Sequence, residues 1–228
     1  MNTALLRRMV ALRSLPSEVI LLTLMSSYIG LAVGNLEAWP LWGVVLAGLL
    51  PWLSVVGLEA VWTYRHYSML AVFYILAISQ LGHLGEHVAQ MVQIHVLKLS
   101  DADASGVFGA LDIEWVHFLF NTWILVAEAV LLRSFRRNPW LWGAFLFAIW
   151  HELEHTLIMW VYLTTGVAGS PGLLAQGGLI AGGLPISRPD LHFFYNLFET
   201  LPILIGFASQ LKRTYHGSAA DAAAPHRS

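Results

Sequence analysis

Six long apolar stretches, separated by short polar or glycine-rich breaks, dominate the pattern of hydrophobic and polar positions along this chain. A helix of about 20 mostly apolar residues is long enough to cross a bilayer, and the alternation typical of a membrane barrel is missing. The pattern therefore predicts an all-α fold, an integral membrane bundle of six transmembrane helices. The predicted spans are 17–35, 41–62, 67–94, 112–132, 140–163 and 191–211.

Two pairs of polar motifs interrupt the last four stretches. The spelling HxxEH occurs as HLGEH at residues 83–87 and as HELEH at residues 151–155. In each case the next stretch contains HFxxN, as HFLFN at 117–121 and HFFYN at 192–196. Because the order is the same both times, we predict a duplicated two-helix hairpin, with spans three and four as one copy and spans five and six as the other. Both copies enter the membrane from the same side, so an axis along the membrane normal would relate them.

The spacing inside each motif places its polar side chains on one face of a helix. Positions i, i+3 and i+4 lie within about a 100° arc, so the two histidines and the glutamate of each HxxEH point the same way. The His and Asn of each HFxxN also share a face. Four helices then each present a polar face that only the other three can bury, at a similar depth in the outer half of the bilayer.

Composition agrees with a membrane protein and restricts its chemistry. Hydrophobic residues make up 57% of the chain and charged residues 11%, whereas about 25% is typical of soluble domains. The net charge of −2 gives no basic surface for nucleic acid, so we expect no nucleic-acid partner. The chain has no cysteine, so nitrogen and oxygen atoms must supply the ligands of any metal site.

The distribution of Lys and Arg predicts the orientation. Ten of these residues fall on one side of the predicted membrane and two on the other, which places both termini in the cytoplasm of a bacterial inner or plasma membrane. The ten are Arg7, Arg8, Arg13, Arg65, Arg133, Arg136, Arg137, Lys212, Arg213 and Arg227, and the two are Lys98 and Arg188.

The motifs and the charges together predict three parts. Residues 1–66 form a two-span segment. Residues 67–211 form a four-span metal-binding core made of the repeats 67–132 and 140–211. Residues 212–228 form a disordered cytoplasmic tail.

Histidine and glutamate inside membrane spans need a physical reason, because a charged residue at a helix centre costs about 2.5–3.5 kcal/mol on insertion scales. Metal coordination supplies one, since neutral imidazoles donate nitrogen and carboxylates offset the charge of the cation. Each copy contributes three His and one Glu, so the two copies together have enough ligands for two metal ions. The predicted ligands are His83, Glu86, His87, His117, His151, Glu154, His155 and His192.

Further polar residues share these faces. Glu199 is predicted as an additional ligand or as a partner of a ligand, and its counterpart in the first copy is Ile124, so the two halves are not chemically equal. Asn121 and Asn196 are weaker ligand candidates that could instead orient imidazoles. Glu152 is a candidate for supporting a ligand or for acting as a general base.

The ligand set resembles that of the integral-membrane histidine-box di-iron enzymes, such as fatty acid desaturases, hydroxylases and alkane monooxygenases, and more distantly the four-helix di-iron carboxylate proteins. The resemblance covers residues 83–199, and it differs from the HxxHH-type boxes of those membrane enzymes in having Glu at the fourth position. It implies iron, with zinc or copper as alternatives, and an O₂-dependent hydroxylase or desaturase. Its partners would be the lipid bilayer, a hydrophobic small-molecule or lipid substrate and an electron-donor protein. The apolar, glycine-rich loop 164–189 is open to four interpretations from the sequence: a re-entrant segment, an interfacial hairpin, a lid, or a surface loop on lipid headgroups.

Two other functions remain open from the sequence. HELEH can be read as HExxH, with His151 and His155 as zinc ligands and Glu152 as general base, and it then resembles the membrane-embedded zinc metalloproteases. That reading predicts a zinc-dependent intramembrane hydrolase, although no LDG-type third-ligand motif is present and Leu84 replaces the base in HLGEH. The third function is a metal or proton carrier, or a sensor, with no enzymatic activity.

Overall fold

A computed structural model describes residues 15–223 of the chain, with side chains as far as residue 214. Within that part the structure is all-helical and contains no strand, which confirms the all-α part of the predicted fold class. The helices are α1 (Ser17–Leu36), α2 (Leu41–Tyr67), α3 (Met69–Met91), α4 (Gly109–Ser134), α5 (Pro139–Thr165) and α6 (Arg188–Ala223). A π-helical segment, Val92–Val96, continues α3.

Five of these helices are long and apolar enough to cross a membrane, as expected of an integral membrane protein. They are Ser17–Leu36, Leu41–Tyr67, Met69–Val96, Gly109–Ser134 and Arg188–Thr214. Helix α5 has 27 residues and is also long enough, but the two histidines and two glutamates of HELEH lower its hydropathy.

The ends of the helices follow local sequence signals. Asp112 has extended backbone angles inside α4, and its Oδ1 accepts the backbone N–H groups of Glu114 and Trp115 at 3.1 Å each, so the regular part of α4 begins at the predicted position. Asn138 caps α5 in the same way by accepting the N–H of Leu141. Gly166, with a φ of 70°, ends α5 in the left-handed conformation that favours glycine.

Within the described part of the chain, residues 15–72 and 211–223 form one compact unit, and residues 73–210 form a second. In the first unit, α1 and α2 make a closely packed hairpin. A Cβ on Gly30 would lie 2.6 Å from the carbonyl oxygen of Ala47, and the Ser27 hydroxyl donates a hydrogen bond to the carbonyl of Gly48. Small residues at such contacts are typical of helix pairs in membranes.

The second unit contains every residue that the sequence predicts as a metal ligand. Its apolar end includes Phe73, whose ring packs against Phe135 at 5.8 Å and Phe207 at 5.5 Å between centroids. The other end buries polar side chains from α3, α4, α5 and α6. They are Gln80, His83, Glu86, His87, Gln90, Glu114, His117, Asn121, Glu128, His151, Glu154, His155, His192, Asn196, Glu199 and Thr200.

The 166–187 loop between α5 and α6 is folded on itself. Backbone hydrogen bonds join Gln176 to Ile186 and Leu184 to Leu174, at 2.9 and 2.7 Å. Ala175 is buried against the start of α6. The loop therefore forms a defined cap on this end of the second unit.

Helix α6 continues to Ala223, whereas the sequence predicts a disordered tail from residue 212 onward. The alanines of this segment explain the difference, since Ala is the best helix former. Residues 224–228 lie outside the described part of the chain, as do Arg7, Arg8 and Arg13, so their predicted roles stay predictions.

Candidate metal centre

The six motif histidines form two groups of three. His83, His87 and His117 make the first triad, and His151, His155 and His192 make the second. All six side chains are buried, and the candidate ligand nitrogens of each triad lie within 4.8 Å of one another. Each triad combines both histidines of one HxxEH with the histidine of the HFxxN that follows it. Each of the two triads could hold one metal ion, whose identity the geometry does not define.

The two triads lie side by side. The rings of His117 and His155 are parallel to within 6°, with centroids 6.0 Å apart, and the centroids of His87 and His192 are 6.4 Å apart. One ring of each pair belongs to the first triad and the other to the second. Two ions bound here would therefore form a single two-metal centre.

Hydrogen bonds orient the histidines that come from the HFxxN motifs. Nδ1 of His117 donates to the carbonyl of Ile113 at 2.6 Å, and Nδ1 of His192 donates to the carbonyl of Arg188 at 3.0 Å. Because a carbonyl oxygen can only accept, both neutral imidazoles carry their proton on Nδ1. Their Nε2 lone pairs are then left for a metal, as in many metal sites.

Asn121 and Asn196 make equivalent hydrogen bonds in the two copies. Each donates from Nδ2 to the backbone carbonyl of the histidine four residues earlier, at 2.9 Å for Asn121 and 3.0 Å for Asn196. Gln80 in turn donates to Oδ1 of Asn196 at 3.2 Å. These bonds hold the backbone and the packing of the helices, and a ligand role for either asparagine stays a prediction.

The second triad has a carboxylate partner. Nδ1 of His151 lies 2.9 Å from Oε2 of Glu199, and both side chains are at most 1% exposed. When its Nδ1–H donates a hydrogen bond to the carboxylate, neutral His151 has its lone pair on Nε2. This nitrogen lies 3.2 Å from Nε2 of His155. A cation shared by these two nitrogens would be bound by a carboxylate–histidine pair, as the partner role predicted for Glu199 requires. Its alternative role as a ligand stays a prediction.

The triads also fit a metal because several of their nitrogens have no other partner. Nε2 of His83, both nitrogens of His87 and Nε2 of His192 are buried and form no hydrogen bond with the described residues. A buried polar group without a partner costs about 1–3 kcal/mol. Coordination would satisfy these atoms, and imidazole nitrogen suits zinc, copper and iron.

The structure places neither Glu86 nor Glu154 in a triad. Oε1 of Glu86 accepts the backbone N–H groups of Val107, Phe108 and Gly109 at 2.7, 2.7 and 3.0 Å. Oε1 of Glu154 accepts the N–H of Leu173 at 2.8 Å. Both carboxylates thus bind the loop that follows their own helix, and their predicted ligand role stays a prediction.

Further side chains of α3 and of the π-helical segment that continues it hold the first of these loops. Gln93 donates to the carbonyl of Gly106 at 2.8 Å and accepts its N–H at 2.7 Å, while Gln90 donates to the carbonyl of Ala104 at 2.7 Å. With Glu86, these residues are spaced at i, i+4 and i+7 and lie on one face of the helix. The loop before α4 is therefore fastened to α3 by side-chain bonds.

Removing the carboxylate in Glu86→Ala should release this loop. We expect amide hydrogen exchange at residues 107–109 to become at least about tenfold faster, because each hydrogen bond to a charged group contributes about 1.5–3 kcal/mol. Exchange measured by mass spectrometry in nanodiscs tests this. Glu37→Ala, at an exposed turn after α1, is the control. Unchanged exchange at residues 107–109 would show that Glu86 does not hold the loop.

A cavity of about 530 Å³ reaches both triads. His87 and His117 of the first triad and His155 and His192 of the second line it together. The loops on this side add Asp101, Ala102, Ala168, Gly169, Pro171, Gln176 and Ser187 to the wall, and the helices add Gln90, Ile113, Arg188 and Pro189. A single molecule in the cavity could therefore approach both metal positions.

An ion pair that the motifs do not include stands beside this cavity. Arg188 donates to both carboxylate oxygens of Glu114, at 2.8 and 2.6 Å, and the N–H of Gly169 donates to Oε1 of Glu114 at 2.8 Å. Glu114 is 1% exposed and Arg188 15%. The bonds fasten α4, α6 and the 166–187 loop together. In the sequence, Glu114 lies near the start of the predicted span 112–132 and Arg188 lies just before the predicted span 191–211, and their opposite charges are the signal for this pair.

Glu152 lies apart from the cavity wall. Its Oε1 accepts the hydroxyl of Thr122 on α4 at 2.7 Å. The second triad does supply, in His192, the third histidine that the HExxH reading of the sequence lacked.

No family model, no curated protein and no solved structure matches this chain. Its fold and candidate site define it as a helical membrane protein with two buried histidine triads.

Proposed function

We propose that the protein is a membrane-embedded, metal-dependent oxidoreductase with a two-metal centre, an O₂-dependent hydroxylase or desaturase of a lipid-soluble substrate. In this proposal α5 is a sixth crossing, the hairpins α3–α4 and α5–α6 are two copies of one unit, both termini are cytoplasmic and the triads lie in the outer half of the bilayer. The observation that carries the proposal is the pair of adjacent histidine triads that share one cavity.

The number of histidine ligands in each triad favours a catalytic metal site over a structural one. Structural metal sites surround the ion completely with protein ligands, whereas catalytic sites commonly use three and keep a position for water or substrate. Each triad offers three imidazoles. The cavity beside them, about 530 Å³, falls in the 300–1,000 Å³ range of pockets for small molecules.

The chemical type of the ligands affects which metals the triads would bind. The triads contain only imidazole, so the carboxylate donors typical of four-helix di-iron proteins are absent from them. Copper is therefore as well matched as iron, and its place in the order of metal affinities favours it for nitrogen ligands. When bound, a pair of iron or copper ions would supply the O₂ activation that oxidation of a C–H bond requires.

An apolar groove on α5 and α6 offers a route by which a lipid-soluble substrate would enter. The groove, of about 560 Å³, is lined by Pro139, Trp140, Gly143, Phe147, Phe198 and Pro202. The ring of Phe147 lies 6.4 Å from that of His151 between centroids. A hydrocarbon chain in this groove would approach the second triad laterally.

The test is the metal content of protein purified in nanodiscs, with the optical spectrum recorded before and after O₂. We expect two iron or copper ions per chain and a spectrum that changes on addition of O₂ to the reduced protein. A chain without stoichiometric metal would overturn the proposal. Metal flux into proteoliposomes without turnover of any lipid would overturn it in favour of a carrier.

A zinc hydrolase is the second candidate, because His151, His155 and His192 together match a three-histidine zinc site next to Glu152. It predicts one zinc per chain, no optical response to O₂, and hydrolysis that is lost in Glu152→Gln and kept in Glu86→Gln. The bond between Glu152 and Thr122, and the presence of an equal triad beside Leu84, favour the oxidoreductase.

A further inference from the structure

The two triads differ in what surrounds them on the helix that carries HFxxN. Aligning HFLFN with HFFYN pairs Phe120 with Tyr195, and continuing one turn pairs Ile124 with Glu199. Two apolar side chains of the first copy therefore correspond to two polar side chains of the second.

Both polar side chains lie against one histidine. Oε2 of Glu199 accepts a hydrogen bond from the Nδ1–H of His151 at 2.9 Å. The centroid of the Tyr195 ring lies 5.4 Å from that of His151. Both side chains are buried. His151 is thus the histidine at which the difference between the copies is concentrated.

The first triad has an apolar environment at the matching place. The ring of Phe120 stacks on His83 at 4.5 Å, with an angle of 12° between the rings, and Ile124 is fully buried. Among the described residues, no hydrogen bond joins an imidazole of the first triad to a carboxylate. At the place of His151, the first triad has His83, whose ring packs on Phe120 instead.

A carboxylate behind a histidine strengthens metal binding in two ways. It makes the other ring nitrogen a stronger donor, and its negative charge offsets part of the cation charge where little water is present. Loss of such a partner typically costs 10–100-fold in metal affinity.

We infer that the two metal sites have unequal affinity, with the second triad binding its ion first and releasing it last because of Glu199. Glu199 is a positioning residue that acts through His151. This inference rests on the two-metal centre of the proposed function.

The test is a titration of metal-free protein in nanodiscs with Co²⁺, followed by visible absorption and equilibrium dialysis. Wild-type protein should bind two ions in two separated steps. In Glu199→Gln the metal affinity of the tighter site should fall about 10–100-fold, so that the affinities of the two sites become more similar. Glu152→Gln removes a nearby carboxylate that is bonded to Thr122, and it should leave both steps in place.

Two further variants assign the steps. His155→Ala should abolish the tighter step and His87→Ala the weaker one. Thermal unfolding of each variant checks that it is folded before it is titrated. Equal affinities in the wild type, unchanged steps in Glu199→Gln, or loss of the tighter step in His87→Ala would overturn the inference while leaving the two-metal centre intact. Failure of the wild type to bind any Co²⁺ would instead remove the two-metal basis of the proposed function.

Discussion

Purified His155→Ala protein should contain one metal ion per chain in place of two. The substitution leaves the second triad with two imidazoles, and the three ligands of the first triad stay in place. Two neutral nitrogens hold a divalent cation far less firmly than three, so the ion should be lost during purification. Metal analysis of protein in nanodiscs, scaled to the protein concentration, measures the effect.

His87→Ala should have the same effect on the first triad, and the double variant should contain no bound metal. His66→Ala is the matched control, since His66 is exposed and hydrogen-bonded to the carbonyl of Trp62 in the other unit. Metal content equal to wild type in both triad variants would contradict the assignment of these histidines as ligands.

Gly172→Ala should clearly destabilise the loop between α5 and α6. Gly172 has a φ of 68°, where a side chain costs about 1–2 kcal/mol. Its new Cβ would also overlap Oε1 of Glu154, and overpacking of this kind adds about 1–3 kcal/mol. We expect a clear fall in the midpoint of thermal unfolding in detergent.

Gly166→Ala separates the two causes. Its φ of 70° imposes the same backbone strain, but no atom lies within 4 Å of the added Cβ. This variant should therefore lose only the strain contribution. Gly106→Ala, whose Cβ would meet Oε1 of Glu86 at 2.5 Å, should behave like Gly172→Ala. Equal losses in Gly166→Ala and Gly172→Ala would refute the contact with Glu154.

The helices and their polar faces were predictable because they depend on neighbours in the chain. Long apolar runs and capping residues such as Asp112 and Asn138 define where helices begin, and these signals act over one turn. The i, i+3, i+4 spacing likewise decides which side chains share a face. That is why two triads of three histidines could be expected from HxxEH and HFxxN.

The roles of the carboxylates were not predictable in the same way. Glu86 and Glu154 share a helix face with the histidines of their motifs, but the loop backbone that folds back onto them provides a competing set of donors. The direction of a loop depends on its glycines and on distant contacts, so spacing along the helix could not distinguish a ligand from a loop anchor. The bond of Glu199 to His151 joins residues 48 positions apart and is equally invisible to helix periodicity.

The sequence by itself determined the helical fold, the apolar spans and the six histidines, because these follow from composition and from periodicity within single helices. Only the tertiary structure decided that the triads lie side by side on one cavity, that Glu86 and Glu154 accept hydrogen bonds from loop backbone, and that Glu199 bonds to His151. These features depend on atoms that are distant along the chain and meet only when four helices pack together. Their packing directs each side chain toward one partner among several that the sequence allows.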